Sequence, residues 1–377
     1  MSGGKFDFII VGGGIAGASA GYALAARAKV VLLERERVFG YHTTGRSAAL
    51  YLRTHGPAVI RALARGSQTF FLNPPPGFTE TPLVTPRGVV FIGRKDQAAE
   101  IDREARDNSG ALSSVRRLDE GAVRAMVPAM RPGYVAAAML DPEAMDIDVH
   151  AVHDGFLRAM RHRGAETLTE AEVTRVERVG NSWKVHTPRG IFEAPAIINA
   201  AGAWCDKLGR LAGAKPIGLV PKRRTIVVFD PPEGAEIKKW PAVNDIGEQF
   251  YFKPDAGRIL ASPEDETPME PCDVFPDDTD VATAIQRVET AADLKVKTIV
   301  RKWAGLRSFV ADGIPAVGYD PELAGFFWLA GQGGYGIETS PAMGRLVASL
   351  ALREGVPKDL AELGVTEDAL SPKRLRR

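Results

Sequence analysis

A cluster of glycines near the start of the chain separates a short apolar run from an alanine-rich run, and this feature constrains the fold most. The order is FDFIIV at residues 6–11, then GGGIAG, then ASAGYALAARA, and finally a second apolar run, KVVLLE. Strand, tight turn, helix and strand within about 30 residues form the setting in which the pattern G-x-G-x-x-G predicts a dinucleotide-binding βαβ unit. We therefore expect an α/β protein that begins with a Rossmann-like unit.

Each glycine of the pattern has its own expected task. Gly12 permits the turn, Gly14 lets the backbone approach a pyrophosphate, and Gly17 lets the helix pack closely on the strand. The helix N-terminus offers amide donors and the positive end of the helix dipole to the anion. Glu34, at the end of the second strand, is placed to accept hydrogen bonds from a ribose diol. A glycine-rich turn without a ligand is the competing interpretation, and the surrounding pattern disfavours it.

The segment GFFWLAGQGGYGIETSPAMG near the C-terminus repeats the order of apolar strand, glycine turn and helix. Gly331, Gly333 and Gly336 match G-x-G-x-x-G, but no second strand ending in an acid follows, so a second nucleotide site is not expected. We expect the helix N-terminus to face one end of the ligand held by the first motif. For a flavin, that end would favour negative charge at the N1/C2 carbonyl edge.

A length of 377 residues exceeds what one hydrophobic core usually holds, so two domains are expected. The nucleotide-binding segments are interrupted by proline-richer stretches with strand-like pieces such as RTIVVFD, which we expect to form an interleaved α+β substrate domain with a mixed sheet covering the cofactor. The expected nucleotide-binding domain comprises residues 1–80, 146–218 and 304–377, and the substrate domain comprises residues 81–145 and 219–303.

Composition excludes several classes of protein. The 48 Lys and Arg residues nearly balance the 47 Asp and Glu residues, which argues against nucleic acid as the main partner. Cys205 and Cys272 are the only cysteines and have no metal-ligand spacing, so no metal site is expected. No apolar run reaches the roughly 20 residues of a membrane span. We expect a cytoplasmic protein without a transmembrane segment, and leave peripheral association with the inner membrane open.

Arg307 is a fixed cation within the otherwise apolar segment AGLRSFVADGIPAVG. A buried arginine is costly unless a carboxylate or phosphate pairs with it. No acid is adjacent, so the partner is either distant in the sequence or not part of the protein. An internal salt bridge, for example to Asp312, is the alternative.

Several motifs taken together point to a known family. The chain combines the N-terminal fingerprint with GYHTTGRSAA, INAAGAW, GLRSFVADGIPAVG and GQGGYGIETS. This ordered set resembles the FAD-dependent D-amino-acid oxidase superfamily, and within it the bacterial D-arginine dehydrogenases most. The resemblance implies noncovalent FAD and a D-amino acid substrate, oxidised to an imino acid that hydrolyses to a 2-oxo acid and ammonia. It also implies a quinone or the respiratory chain as electron acceptor, while oxygen as acceptor, stereochemistry and oligomeric state stay open.

The resemblance also assigns cofactor residues along the chain. It implies pyrophosphate contacts at the first motif, adenosine contacts at Glu34, Arg35 and Val173, and flavin contacts at residues 43–50 and 333–338. The full set is Gly12, Gly14, Ala16, Gly17, Glu34, Arg35, Thr43, Thr44, Gly45, Arg46, Ser47, Ala48, Ala49, Leu50, Val173, Ala201, Gly202, Gly333, Gly334, Tyr335, Gly336, Ile337 and Glu338.

For the substrate, the resemblance implies that Arg307 holds the α-carboxylate, with Tyr251 as a second donor and with Arg224 and Gly334 lining the same site. A guanidinium offers two parallel donors to a carboxylate and so fixes the direction of the Cα–H bond. Tyr251, in FYF, has the alternative of a packed aromatic strand. Tyr251, Arg307 and His55 are the candidate catalytic residues.

The chain departs from the family pattern at the substrate. Val89 stands where a glutamate is expected to bind the arginine guanidinium, so a neutral or hydrophobic side chain should be favoured over arginine. Leu50 and Leu52 replace expected polar residues. His55 replaces an expected tyrosine and either helps deprotonate the amine or hydrogen-bonds within a lid loop. Glu338 replaces an expected glutamine and either faces the substrate amine or caps the following helix.

Three rival functions stay open. A sarcosine- or glycine-type amine oxidase would share the fold and the carboxylate clamp. An FAD-dependent 2-hydroxy-acid dehydrogenase would accept lactate-like compounds instead of amino acids. A non-catalytic flavoprotein subunit would bind FAD without responding to any small carboxylate.

Overall fold

The computed structural model describes residues 3–109 and 114–376, and every candidate site residue lies within these ranges. The strands are β1 (Phe8–Val11), β2 (Val30–Leu33), β3 (Leu50–Tyr51), β4 (Val84–Pro86), β5 (Val89–Gly93), β6 (Arg116–Leu118), β7 (Ala137–Asp141), β8 (Met145–Ile147), β9 (Glu166–Leu168), β10 (Arg175–Val179), β11 (Ser182–Thr187), β12 (Gly190–Ala194), β13 (Ala196–Asn199), β14 (Val220–Phe229), β15 (Ala242–Asp245), β16 (Tyr251–Asp255), β17 (Arg258–Ser262), β18 (Ile299–Phe309), β19 (Ala316–Tyr319) and β20 (Phe326–Ala330). The α-helices are α1 (Ile15–Leu24), α2 (Ala58–Leu72), α3 (Ala98–Ser109), α4 (Glu120–Met126), α5 (Val149–His162), α6 (Cys205–Ala212), α7 (Asp278–Ala291), α8 (Ser340–Ala351), α9 (Lys358–Glu362) and α10 (Glu367–Leu370).

A six-stranded sheet in the order β19-β20-β13-β1-β2-β9 carries the glycine motif. Its strands are parallel except for β19, which is antiparallel to β20. The four residues of β1 and the four of β2 are buried, as expected for a parallel sheet covered on both faces. The predicted strand–turn–helix–strand unit is therefore confirmed, and with it the Rossmann-like part of the fold.

The close packing of α1 on this sheet explains two of the glycines. A Cβ on Gly17 would lie 1.9 Å from the carbonyl oxygen of Gly12, so no larger residue fits there. Gly12 itself has a φ of +112°, a backbone conformation that residues other than glycine rarely adopt. The motif thus encodes both the turn and the contact between helix and strand.

An eight-stranded mixed sheet in the order β18-β14-β17-β16-β15-β5-β7-β6 forms the second layer of the site. The β15–β5 pair is parallel and the other pairs are antiparallel. One face packs against α7 around a buried core that includes Phe229, Phe250 and Phe252. The expected mixed sheet is present, and β10, β11 and β12 form a separate three-stranded antiparallel sheet.

The two sheets draw on different parts of the chain. All strands of the six-stranded sheet lie within residues 1–80, 146–218 and 304–377, whereas the eight-stranded sheet uses 81–145 and 219–303 together with the whole of β18. Because β18 runs from Ile299 to Phe309, it crosses the expected boundary at residue 304. The segment that carries Arg307 is therefore part of the eight-stranded sheet. In the described ranges, no helix combines the length and the apolar character that crossing a membrane requires.

Candidate active site

A cavity of about 690 Å³ runs from the glycine motif to the eight-stranded sheet. Its nucleotide-motif end is formed by the turn before α1 and by the ends of β2 and β13. Its other end is formed by β14, β16 and β18 and by the loop that follows β20. All predicted site residues line this cavity except Gly17, Gly45 and Val89.

Glu34 is held at the nucleotide-motif end by two backbone amides. Its Oε2 accepts a hydrogen bond from Gly13 N at 2.8 Å, and its Oε1 accepts one from Glu36 N at 2.9 Å. A carboxylate has about four lone-pair sites, so each oxygen retains acceptor capacity for a ribose hydroxyl. Arg35 lies beside it, with its guanidinium 5.0 Å from the ring centroid of Trp204.

The turn before α1 has the surface that a pyrophosphate needs. Gly14 precedes the helix, and a Cβ there would lie 3.1 Å from Thr44 Oγ1. The same hydroxyl accepts a hydrogen bond from Ile15 N at 3.0 Å, while Gly14 and Ala16 face the cavity. First-turn amides of a helix have no partner within the helix. Backbone donors at this turn and the carboxylate of Glu34 therefore form a donor and acceptor set that fits the adenosine diphosphate part of FAD.

The segment at residues 43–50 crosses the middle of the cavity and is tied to β18. Thr43 Oγ1 donates a hydrogen bond to Leu306 O at 2.7 Å, and Trp303 Nε1 donates one to Arg46 O at 2.9 Å. Arg46 Nη1 also donates to Ala304 O at 3.1 Å. These bonds fix the segment against the strand that carries Arg307.

Arg224 and Arg307 reach the cavity from the same face of neighbouring strands. In the antiparallel pair β14–β18, Lys222 lies opposite Arg307 and Arg224 lies opposite Gly305. Residues two apart on a strand share a face, so Arg224 is the diagonal neighbour of Arg307. Burial, and then the positive charge of Arg307, lower the pKa of Arg224.

Arg307 has no carboxylate partner in the part of the chain that the structure describes, although it is charged and faces a cavity. Asp312, the alternative partner, instead binds Arg374, with 2.8 Å between Oδ2 and Nε. The internal Arg307–Asp312 pair considered from the sequence is therefore wrong. Gly334 lies against the guanidinium, because a Cβ there would be 2.9 Å from Arg307 Nη1. The free charge of Arg307 thus points to an anionic ligand in the cavity.

Tyr251 is not an ordinary residue of a packed aromatic strand. Its neighbours Phe250 and Phe252 belong to the core on the α7 side of the sheet, whereas Tyr251 lines the cavity. It is 6% exposed and packs with Ile226 and Leu260. Burial raises its pKa, so the phenol stays protonated and can donate a hydrogen bond at neutral pH.

Two carboxylates flank Arg224. Glu264 Oε2 lies 3.7 Å from Nη1, and Glu266 Oε1 lies 3.5 Å from Nη2. The Glu264 side chain is only 10% exposed, and burial raises its pKa while Arg224 opposes that rise. Of the two arginines, Arg224 therefore has nearby acidic partners, whereas Arg307 has none among the residues that the structure describes.

His55 lies at the rim of the cavity between aromatic rings. Its ring centroid is 6.0 Å from that of Phe91 and 5.9 Å from that of Tyr335. Its Nε2 lies 3.8 Å from Glu248 Oε1, a distance too long for a hydrogen bond. Burial lowers the pKa of His55, so its imidazole is neutral at pH 7. A neutral ring at the rim is compatible with both roles that the sequence leaves open.

Glu338 is buried at 5% exposure and does not cap α8. Thr339 precedes the helix without a side-chain capping bond, whereas Glu338 Oε2 accepts a hydrogen bond from Leu52 N at 2.9 Å. The capping role considered from the sequence is therefore wrong. Burial raises the pKa of Glu338 to about 8, against the opposing effects of the Leu52 amide and of Arg307. At neutral pH this cavity residue is a predominantly uncharged acid.

Val89 does not take the place that the sequence suggested. It is fully buried in β5, within a small core that also contains Leu52, Phe91 and Ala242. The cavity wall in front of it includes Leu52, so Val89 supports the lining from behind. The neighbouring positions Leu50 and Leu52 do face the cavity, as expected.

Sequence reasoning missed several lining residues at the substrate end. They are Ile226, Asn244, Glu248, Glu264 and Glu266. The acidic run SPEDET after β17 was visible, but only the pairing of β14 with β18 and β17 shows that it reaches Arg224. The nucleotide-motif end also contains His42, Trp204 and Lys207, which had not been singled out.

Comparison with known proteins agrees with this geometry. A family model described as FAD dependent oxidoreductase (DAO) matches residues 7–350. Glycine oxidase of Geobacillus kaustophilus is 25% identical over 374 residues, covering 96% of this chain and 97% of that protein. The mitochondrial sarcosine dehydrogenase of Mus musculus is 26% identical over 379 residues, covering 94% of this chain and 40% of that protein.

Solved structures show the same fold. The crystal structure of the Geobacillus kaustophilus glycine oxidase superposes with a TM-score of 0.83 at 24% identity, covering 95% of this chain and 98% of that one. L-proline dehydrogenase from P. horikoshii gives a TM-score of 0.82 at 21% identity, covering 100% and 99% of the two chains. The special closeness to D-arginine dehydrogenases stays a prediction.

Proposed function

Because this chain belongs to the DAO family of FAD-dependent oxidoreductases, we propose that it oxidises the Cα–N bond of a small amino acid bound at Arg307. The cofactor is FAD, and the matched family model spans both ends of the cavity. The observation that carries the proposal is the uncompensated charge of Arg307, which faces the cavity beside the buried phenol of Tyr251.

Arg307 and Tyr251 together define a carboxylate clamp. A guanidinium gives two parallel charge-assisted hydrogen bonds to a carboxylate, and the Tyr251 hydroxyl supplies a neutral donor. Because Gly334 has no side chain, the Arg307 guanidinium can lie against its backbone. Fixing the carboxylate fixes the orientation of the Cα–H bond, and such positioning is a major part of catalysis when a cofactor carries the chemistry.

Bound FAD supplies the two-electron acceptor for the Cα–H bond. The residues of this chain hold the carboxylate and line the side-chain space with Leu50, Leu52 and Ile226, while His55 and Glu338 line the same cavity. The substrate amine loses its proton before oxidation, and the imino acid product takes up water to give a 2-oxo acid and ammonia. A neutral His55 is able to accept that proton.

We further propose a D-amino acid with a neutral side chain as substrate, and a quinone or the respiratory chain as electron acceptor. Leu50 and Leu52 support the neutral side chain, since they offer no partner for a buried cation, and Glu264 and Glu266 at the same end lie beside Arg224. Val89 no longer supports it, because it lies behind the lining. The D configuration and the acceptor rest on the resemblance stated from the sequence.

Glycine or sarcosine is the second candidate substrate. Glycine oxidase and sarcosine dehydrogenase are both similar to this chain over at least 94% of its length. Such substrates need the same carboxylate clamp and no side-chain space. The choice between the two candidates depends on whether the space beside Leu50 and Leu52 receives a substrate side chain.

The test is anaerobic bleaching of the bound flavin by a panel of D- and L-amino acids, glycine, sarcosine and 2-hydroxy acids. Rapid bleaching by D-leucine, D-methionine or D-phenylalanine supports the D-amino acid proposal, whereas a response only to glycine or sarcosine supports the second candidate. Bleaching by 2-hydroxy acids alone contradicts both. If no small carboxylate bleaches the flavin, the chain acts as a non-catalytic flavoprotein subunit and the proposal is wrong.

A further inference from the structure

We propose that Glu264 is a specificity-determining residue that neutralises Arg224, so that the cavity binds monocarboxylate amino acids and rejects those with a second carboxylate. This inference rests on the proposed function, because it concerns the substrate of the same cavity. It concerns Arg224, the cation next to the clamp formed by Arg307 and Tyr251.

The position of Arg224 would otherwise favour a dicarboxylate. Arg224 and Arg307 are diagonal neighbours on one face of β14 and β18, and both line the cavity. Arg224 is 6% exposed, and its Nε and Nη1 atoms have no hydrogen-bond acceptor among the described residues. Two adjacent guanidiniums in one cavity would attract two carboxylates, one for each cation.

Glu264 cancels the second of these charges. Its Oε2 lies 3.7 Å from Arg224 Nη1, a distance at which charges interact strongly without a hydrogen bond. Its side chain is 10% exposed, so solvent screens the pair little. A second substrate carboxylate near Arg224 would meet the negative charge of Glu264 as well, and this repulsion disfavours binding.

The chain fixes Glu264 in this place at a local cost. Its φ is +54°, a left-handed backbone conformation that is uncommon for glutamate. Glu264 N donates to Ser262 Oγ at 3.1 Å. The next residue, Asp265, accepts hydrogen bonds from Thr225 N at 2.6 Å and from Thr225 Oγ1 at 3.0 Å. The turn after β17 is thus fastened to β14 beside Arg224.

Glu266 has a different task and offers a matched control. Its Oε2 lies 2.6 Å from Lys222 Nζ, and its side chain is 40% exposed. Although Glu266 Oε1 is 3.5 Å from Arg224 Nη2, its charge is shared with Lys222 and screened by solvent. Removing the charge of Glu266 should therefore change the affinity for dicarboxylates much less than removing that of Glu264.

The experiment measures binding, independently of turnover. The FAD-loaded protein is titrated with propionate, malonate, succinate and glutarate at constant ionic strength, and the change in flavin absorbance gives each Kd. For Glu264→Gln we expect the Kd of the best-fitting dicarboxylate to fall about tenfold, as one charge-assisted hydrogen bond allows, with propionate affinity little changed. Glu266→Gln should give a much smaller dicarboxylate gain than Glu264→Gln, because Lys222 shares the charge of Glu266, and Glu264→Gln/Arg224→Gln should lose the gain.

The outcomes separate this inference from the proposed function. Normal propionate binding without a dicarboxylate gain in Glu264→Gln overturns the inference alone. An equal gain for propionate and dicarboxylates also overturns it, because Arg224 would then serve the same carboxylate as Arg307. No binding of any carboxylate to any variant overturns the clamp and this inference together. If Glu264→Gln loses FAD, Glu264→Asp withdraws the charge from Arg224 and should show a smaller gain, whose absence also overturns the inference.

Discussion

Arg224 and Arg307 lie diagonally next to each other on one face of two antiparallel strands, yet among residues 3–109 and 114–376 carboxylates pair with Arg224 and none pairs with Arg307. These two cations are therefore not equivalent. One is compensated within the protein, and the other retains its charge for a ligand.

Replacing Arg307 should abolish substrate-dependent reduction while FAD stays bound. Arg307→Ala removes the only clamp cation that has no carboxylate partner in the described ranges, and losing a hydrogen-bonded ligand charge costs about 2–5 kcal/mol. We expect kcat/KM to fall by about 30- to 4,000-fold, with a smaller loss for Arg307→Lys. Anaerobic bleaching measures the effect, and the flavin spectrum checks that FAD is retained. Turnover unchanged in Arg307→Ala would refute the clamp.

Gly334→Ala should weaken substrate binding without removing the cofactor. The added Cβ would lie 2.9 Å from Arg307 Nη1 and 3.1 Å from its Cζ, so the guanidinium must move. We expect the Kd for propionate to rise about tenfold, as for the loss of one charge-assisted hydrogen bond. Gly121→Ala, where the nearest atom would be 3.4 Å away, is the control. Equal Kd values for Gly334→Ala and wild type would contradict this packing argument.

Glu338→Gln should remove a pH dependence of stability. Burial raises the pKa of Glu338 to about 8, so the folded protein keeps its proton where the unfolded chain, with a pKa near ~4.3, has released it. Its contribution to stability is therefore complete below about pH 4.3 and declines as pH rises to 8. The Tm of Glu338→Gln minus that of wild type should increase from pH 5 to pH 8.5 in FAD-loaded protein. A constant difference would show that Glu338 is ionised throughout.

The rate of flavin reduction should depend on pH through the protonation of His55. Burial lowers its pKa, so any loss of rate through its protonation must lie below the usual value of about 6.5. We expect an acid limb there in wild type, and we expect His55→Gln to lose that limb and at least about 100-fold in limiting rate. Stopped-flow reduction between pH 5 and 9 measures both. An unchanged profile in His55→Gln would assign His55 to packing against Phe91 and Tyr335.

Glu34→Ala should weaken FAD binding and leave the fold intact. It removes the acceptor for Gly13 N and Glu36 N together with the expected acceptor for the ribose. Each lost hydrogen bond to a charged group is worth about 1.5–3 kcal/mol, so the Kd for FAD should rise at least about tenfold. Fluorescence titration of deflavinated protein measures it. Glu172→Ala, on the same stretch of wall but more exposed, is the comparison expected to have little effect.

Local patterns in the sequence predicted the parts of the fold that local physics determines. The unit from Phe8 to Leu33 follows from two short, continuous apolar runs and from glycines between them that the tight turn and the close helix packing require. The strand and helix around Gly331–Gly336 followed for the same reason, although the helix begins only at Ser340.

Contacts between strands that are distant in the sequence could not be predicted from the sequence. Val89 was predicted to line the substrate site from the motif around it in the sequence. In the structure β5 is buried on both sides, and Val89 packs behind the cavity wall. Glu264 gained its position only through the pairing of β17 with β14, and the partner of Asp312 is 62 residues away at Arg374. Such pairings depend on register between segments that no short motif encodes.

Strand β18 carries Arg307 and also holds the segment along which the flavin is expected to lie, through Thr43, Arg46 and Trp303. The same strand thus positions both residues 43–50 and Arg307. Binding of the cofactor along residues 43–50 and the conformation of the backbone next to Arg307 are therefore coupled, because the two segments are hydrogen-bonded to each other. Binding of FAD is therefore expected to favour the arrangement of β18 in which Arg307 faces the cavity.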